Sequence, residues 1–106
     1  MNLKLKVTKA ENFFDRLVGL IGSKTFESGY GLMIEPCNAI HMLFMRFSID
    51  AIFIDKGFCI RKIFLNLKPW FGFAVCLGAW AVIEMKSGEA SRLKLSVGQI
   101  LDIEWI

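Results

Sequence analysis

The stretch LKLKV, residues 3–7, alternates leucine or valine with lysine at a period of two. That is the pattern of a strand with one face in a core and the other in water, and its lysines would keep a sheet edge from pairing with a stranger. Thr8-Lys9-Ala10-Glu11 then has the form of a capping box, in which the threonine hydroxyl accepts a backbone N–H three residues on and the glutamate reaches back. Beyond it the spacing changes to that of a helix. Phe13, Phe14, Leu17 and Leu20 or Ile21 fall on one face, Asp15 and Arg16 fall off it, and Gly22 is a natural stop. The pattern predicts a helix over 9–21.

After that helix the chain reads as short apolar runs separated by turn residues. GLMIE (31–35) is closed by Pro36, and IHMLFM (40–45) and IDAIFID (49–55) follow. Asp55-Lys56-Gly57 is a hairpin turn into FCIRKIFLNL (58–67). AWAVIEM (79–85) is a further strand, bounded by Lys86-Ser87-Gly88, and QILDIEWI ends on apolar alternation at Ile103 and Trp105. Six or seven short strands at near-regular spacing, with one helix near the N-terminus, predict a mainly β (α+β) fold, a compact small barrel or sandwich. No repeat, linker or low-complexity tract divides the sequence, so residues 1–106 read as a single domain.

Composition narrows the function classes. A chain of 106 residues can bury roughly 65% of the surface its unfolded form exposes. The 55% apolar fraction exceeds the roughly 45–50% usual for soluble domains, which tilts the chain toward association. The net charge of +3 is scattered, its longest basic cluster being Arg61-Lys62, so the sequence lacks the basic stripe of a nucleic-acid-binding protein. The N-terminus has no apolar core of signal-peptide length, which predicts a chain that starts at Met1 and stays in the cytoplasm. From Pro69 to Ile83 there is no charged residue, yet the 15-residue length falls short of the roughly 20 that a membrane helix needs. Pro69, Gly72 and Gly78 punctuate it, so it reads as a loop followed by a strand. Cys37, Cys59 and Cys76 lie 22 and 17 residues apart, form no CxxC pair, and predict reduced thiols rather than disulfides.

Several motifs, in order, resemble a known family. RLVGLIGSKTF and YGLMI, then PCNAIHMLFMRFSIDAIFID, KPW, AVIEMKSGEA and VGQIL together look like the small DUF192 domain, over residues 16 to 101. Arg16, Gly19 and Leu20 match its Arg-x-x-Gly-Leu block, Asp50 its apolar-Asp pair, and Glu84 with Gly88 its third motif. The resemblance implies a compact, mainly β fold with one short helix. It implies no reaction, since the family is defined by unknown function, and it carries over no catalytic residue or cofactor. Two positions depart from the pattern: Ser48 stands where the family often has proline, and FGFAVCL follows Trp70 where a polar loop is expected.

The chain's only histidine lies inside an apolar run with an arginine and an aspartate, NAIHMLFMRFSID (38–50). A hairpin of 40–45 with 49–54 would set His41 opposite Phe53 and bring Arg46 and Asp50 to one end. The structural reading pairs Arg46 with Asp50, because charges among apolar strands must be paired or reach water. A functional reading makes Arg16 and Arg46, with His41, Asp50 and Glu84, a site for a small anionic ligand, since guanidinium forks fit carboxylate or phosphate oxygens. Glu84 reads either as a solvated strand-end carboxylate or as a partner of one of those arginines. Cys37 and His41 with Asp50 or Glu84 make a weak metal set, because one histidine is little for zinc, and no metal or other cofactor is expected. Cys37 as nucleophile with His41 as base would need a bend, since residues four apart on a strand stand roughly 13 Å apart.

The last feature is Trp70-Phe71-Gly72-Phe73-Ala74-Val75-Cys76-Leu77. This segment either folds over an open end of the barrel or stands outside it, where exposed aromatic residues mark a contact. The reading favoured is a non-enzymatic binding or accessory module that meets a protein partner or a homodimer mate through Trp70, Phe71 and Phe73. The alternative is the anionic-ligand site around Arg16, His41, Arg46 and Asp50, hydrolytic or not. A single histidine, no phosphate-binding glycine loop and no nucleophile elbow weigh against an enzyme.

Overall fold

A computed structural model of the chain describes residues 4–9, 29–42, 45 and 47–106. They form eight strands, β1 (Leu5–Lys9), β2 (Tyr30–Ile34), β3 (Ala39–His41), β4 (Ile49–Ile54), β5 (Ile60–Leu67), β6 (Phe73–Val75), β7 (Ala81–Lys86) and β8 (Ile103–Trp105), and one helix, α1 (Glu89–Arg92). The fold is mainly β, as the strand periodicities predict.

Six strands make one sheet in the order β5-β4-β7-β2-β1-β8, and β3 and β6 make a second. β1 runs parallel to both of its neighbours, while β2, β7, β4 and β5 pair antiparallel. The outer strands of the large sheet are tied to each other at one end. Ile60 donates its N–H to Gln99 and accepts from Gly98, both at 2.8 Å, and Leu101 donates to Phe58 at 3.0 Å. These bonds carry the chain from the start of β5 to the approach of β8, so the sheet curls into a small barrel and hides part of its edge.

β4 explains the architecture best. All six of its residues are buried, which requires cover on both faces. Side chains alternate across a strand: Ile52 and Ile54 pack with Val7, Met33, Ile83 and Met85 inside the barrel. Ile49, Ala51 and Phe53 pack with Leu32, Ile34 and Val82 on the outer face, where Met42, Met45 and Ala74 close over them. Each fully buried Ile or Phe contributes about 1.5–3 kcal/mol of hydrophobic stabilisation, so this strand with β7 carries much of the fold.

Three local expectations change. The strand expected over 40–45 is the shorter β3; Met42 and Met45 lie past it as buried side chains. The hairpin of 40–45 with 49–54 does not form. Both edges of β4 are taken by β5 and β7, so β3 pairs with β6 and His41 stands opposite Phe73 rather than Phe53. Pro69–Ile83 holds an extra strand, β6, within what reads from the sequence as a loop. The helix expected over 9–21 lies outside the described residues apart from Lys9, which ends β1. Among the described residues no helix is long and apolar enough to cross a membrane.

Candidate functional site

Two places stand out, a buried carboxylate knot at one end of the barrel and an aromatic surface on the small sheet. Asp50, the second residue of β4, has no solvent exposure. Its Oδ1 accepts the Asn66 N–H at 2.9 Å, and its Oδ2 accepts those of Gly88 and Ala90, each at 3.0 Å. One carboxylate thus ties the end of β5 and the turn between β7 and α1 to β4. Gly88 has φ 97°, a left-handed conformation that glycine adopts without the Cβ penalty, and this aims its amide at Asp50. Asn66 has φ 53°, and its side-chain oxygen accepts the Ser87 hydroxyl at 2.8 Å.

Glu89 adds a second buried carboxylate to the same end. It accepts Arg92 Nε at 2.6 Å and Nη2 at 2.9 Å in a two-pronged pair, and its Oε1 also accepts the Gly29 amide. The Arg92 hydrogen bonds hold the Glu89 carboxyl below its ordinary pKa; burial opposes this, and the Gly29 amide and the charges of Arg92 and Lys86 add to it. A cleft of about 390 Å³ lies near the turn, walled by Phe47, Ser48, Lys86 and Ser87. Asp50 spends its oxygens on backbone amides, so it serves as a clamp and offers no free base.

The described members of the sequence-predicted ligand cluster, His41, Asp50 and Glu84, do not all share one face. In β4 and β7, Asp50 stands in register with Met85 and Ala51 with Glu84. Cross-strand partners share a face, so Asp50 points to the barrel interior with Met85 while Glu84 points to the outer face with Ala51 and Leu32. His41 is an exposed residue of β3 on that outer side. Arg16 and Arg46 lie outside the described residues, and with them the Arg46–Asp50 pair. Cys37 Sγ donates to the Ala39 carbonyl at 3.2 Å, and among the described residues no three His, Cys, Asp or Glu side chains gather as a metal site would need.

The aromatic segment is built differently. Trp70 is 50% exposed, Phe71 91%, Phe73 63% and Leu77 83%. By contrast, Ala74 is buried against the outer core face and anchors β6. The turn that presents the aromatics is fixed by its backbone. Trp70 N–H donates to Met42 at 2.8 Å, Phe71 N–H to Pro69 at 2.8 Å, Gly72 N–H to Lys68 at 2.9 Å, and Met42 N–H to Gly72 at 2.9 Å. The Phe71-to-Pro69 bond closes a three-residue turn over Trp70 at φ 70°, the strained form of the γ-turn. Gly72 leaves no room for a side chain: a Cβ would sit 2.6 Å from Met42 Cγ and 2.8 Å from the Lys68 carbonyl oxygen.

The residues that sequence reasoning missed are Asn66, Ser87, Glu89 and Arg92. Only Glu89 and Arg92 left a signal, an acid and a base three residues apart after Gly88, which is the spacing of a helical ion pair.

Comparison with known proteins places the chain among uncharacterised relatives. Residues 1–103 match the DUF192 family, described as Uncharacterized ACR. A UPF0127 protein of Pyrococcus furiosus is 32% identical over 106 residues, which is 97% of this chain and 89% of that protein. A crystal structure of a protein of unknown function from Novosphingobium aromaticivorans superposes with TM-score 0.71 at 21% identity, over 86% of this chain and 70% of that one. That of a proposed transcription regulator from Sinorhizobium meliloti gives 0.74 at 22% identity, over 87% and 76%. At these identities the two structures speak for the fold alone.

Proposed function

The chain belongs to the DUF192 family, and for this member we propose a role as a non-enzymatic binding module that contacts a protein, another copy of itself or a different partner, through residues 70–77. The observation that carries the reading is Phe71, 91% exposed on a turn that its own backbone bonds hold in place. An exposed aromatic side chain normally loses rotamer freedom when it binds; a fixed turn removes the backbone part of that cost in advance. Trp70, Phe71 and Phe73 together offer roughly 300–500 Å² of aromatic surface, taking about 150–250 Å² for each whole ring side chain. That is around half of the roughly 800 Å² one partner contributes to a standard interface. It also matches the largest apolar patch of a typical monomer, which is often functional.

The test compares the wild type with a Trp70→Ser, Phe71→Ser, Phe73→Ser triple variant of equal melting temperature. Sedimentation velocity reads self-association, and affinity capture from the native host's lysate reads other partners. The proposal expects one of the two to be lost in the variant. Identical sedimentation and identical captured proteins would overturn it.

A further inference from the structure

We infer that the partner of the aromatic surface is a different protein, whose contact face is apolar at its centre and lined with carboxylates at its edge. This inference rests on the binding-module reading and names the chemistry of what is bound. From Lys56 to Ile83 the sequence holds four cations, Lys56, Arg61, Lys62 and Lys68, and no Asp or Glu. Arg61 is partly offset by Asp55, its Nη1 standing 4.0 Å from Oδ2. Lys62 and Lys68 are exposed, and no carboxylate among the described residues forms an ion pair with either.

Lys68 adjoins the aromatic segment in the chain, and Lys62 lies on the sheet face over which that segment packs. Lys62 is in register with Phe53, so it shares the outer face that β3 and β6 cover, and its ammonium lies 4.8 Å from the centre of the Phe64 ring. Lys68 opens the clamped turn, and its carbonyl accepts the Gly72 amide. β3, β6 and the turn before β6 carry no Asp or Glu of their own; Lys68 opens that turn, and His41 stands opposite Phe73. The surface is therefore an apolar knob with a positive edge.

That charge pattern chooses among occupants. A second copy meeting this one through the same surface would bring two positive edges together with no Asp or Glu between 56 and 83 on either side to offset them, and like charges across an interface disfavour the complex. An anionic bilayer is usually engaged by clusters of about four to eight basic residues, and this edge offers two. A rigid aromatic knob suits a preformed protein pocket, and carboxylates around that pocket would complement Lys62 and Lys68.

The experiment uses the whole chain as bait in the native host's lysate, followed by zero-length carbodiimide coupling, which joins lysine amines to carboxyl groups in contact, and mass spectrometry of the linked peptides. The expected result is Lys62 or Lys68 joined to an Asp or Glu of a different protein. Capture of that protein should weaken about tenfold or more in a Lys62→Glu, Lys68→Glu variant that melts like the wild type, and should weaken with rising salt. A covalent dimer linking these lysines to this chain's own acids would overturn the inference in favour of self-association. Co-sedimentation with phosphatidylcholine–phosphatidylglycerol vesicles, without any protein link, would overturn it in favour of a membrane. Capture lost with the aromatic triple variant but indifferent to Lys→Glu and to salt would overturn the acidic edge and leave the binding module standing. Capture indifferent to the aromatic variant as well would overturn both.

Discussion

The Asp50 carboxylate accepts the Ala90 amide at 3.0 Å across 40 positions of sequence, and Ala90 is itself buried. The bond fixes the turn after β7 to the second residue of β4, and the same carboxylate holds Gly88 and Asn66. A hydrogen bond to a charged group contributes about 1.5–3 kcal/mol, and an amide left buried without a partner costs a similar amount. Gly88 and Asn66 are exposed residues whose amides water can partly satisfy, whereas the Ala90 amide cannot be reached as easily. Asp50→Ala is therefore expected to destabilise by about 3–4 kcal/mol, lowering the melting temperature by roughly 15 °C or more. Asp50→Asn should recover only part of this, because its amide nitrogen would face donors. Thermal unfolding by circular dichroism checks both, and a change of a degree or two would refute the clamp.

Glu89 supplies a pH dependence with a definite sign. Its carboxyl is held below the ordinary value of 4.5, first by the hydrogen bonds from Arg92. A depressed folded-state pKa contributes stability above the unfolded-state value, and that contribution is lost as pH falls through the folded-state value. Arg92→Gln should lower the urea midpoint at pH 7, and the gap from wild type should close as pH falls below about 4.5, where Glu89 takes up its proton. Urea titrations at pH 7, 5, 4 and 3 measure this directly. A gap that stays constant to pH 3 would show that Arg92 acts through packing of its stem rather than through the ion pair.

Gly72→Ala tests the clamped turn. The added carbon would lie 2.6 Å from Met42 Cγ, 2.8 Å from Lys68 O and 3.0 Å from Lys68 N. The methionine side chain can swing aside, but the Lys68 backbone cannot move without loosening the Gly72-to-Lys68 bond. The expected cost is about 1–3 kcal/mol, as for other overpacked sites. Amide hydrogen exchange should then speed up at Trp70 and Gly72 before it does in β4. Unchanged protection at those amides would mean that the turn is not held as described.

These tests turn on features of very unequal legibility. β4 and β5 were readable at 49–55 and 58–67 because apolar runs bounded by Asp55-Lys56-Gly57 have one economical solution, a hairpin, and the structure closes it at 49–54 and 60–67. The mainly β class is legible for the same reason, whereas the family motifs are legible from the order and spacing of their blocks over residues 16 to 101. Strand partners were not: β3 looks like the neighbour of β4, and only the competition of β5 and β7 for the edges of β4 sends it to β6. The knot was half legible. Asp50 is conspicuous in the sequence as an acid among apolar residues, but its partners are backbone amides, which every residue but proline carries and no sequence pattern marks. The opposite facing of Asp50 and Glu84 required the register of β4 against β7. The four residues of α1 are too few to show a helical period.

The end of α1 gives a prediction far from the binding surface. Leu95 N–H donates to Ala90 at 2.9 Å and Lys94 N–H to Ser91 at 3.1 Å, the paired bonds of a Schellman ending. Lys94 occupies its left-handed position at φ 56°, where helices usually place glycine because an L side chain costs roughly 1–2 kcal/mol. Lys94→Gly removes that cost but frees the unfolded chain, which takes back about 0.4–1 kcal/mol. The net should be a gain of about 0.5 kcal/mol. Lys94→Val should go the other way, since a β-branched side chain tolerates positive φ least. A gain for glycine and a loss for valine, measured by urea unfolding, would confirm that backbone conformation governs this position. A loss for both would mean that the Lys94 side chain itself stabilises the turn, against the reading of the ending as a backbone motif.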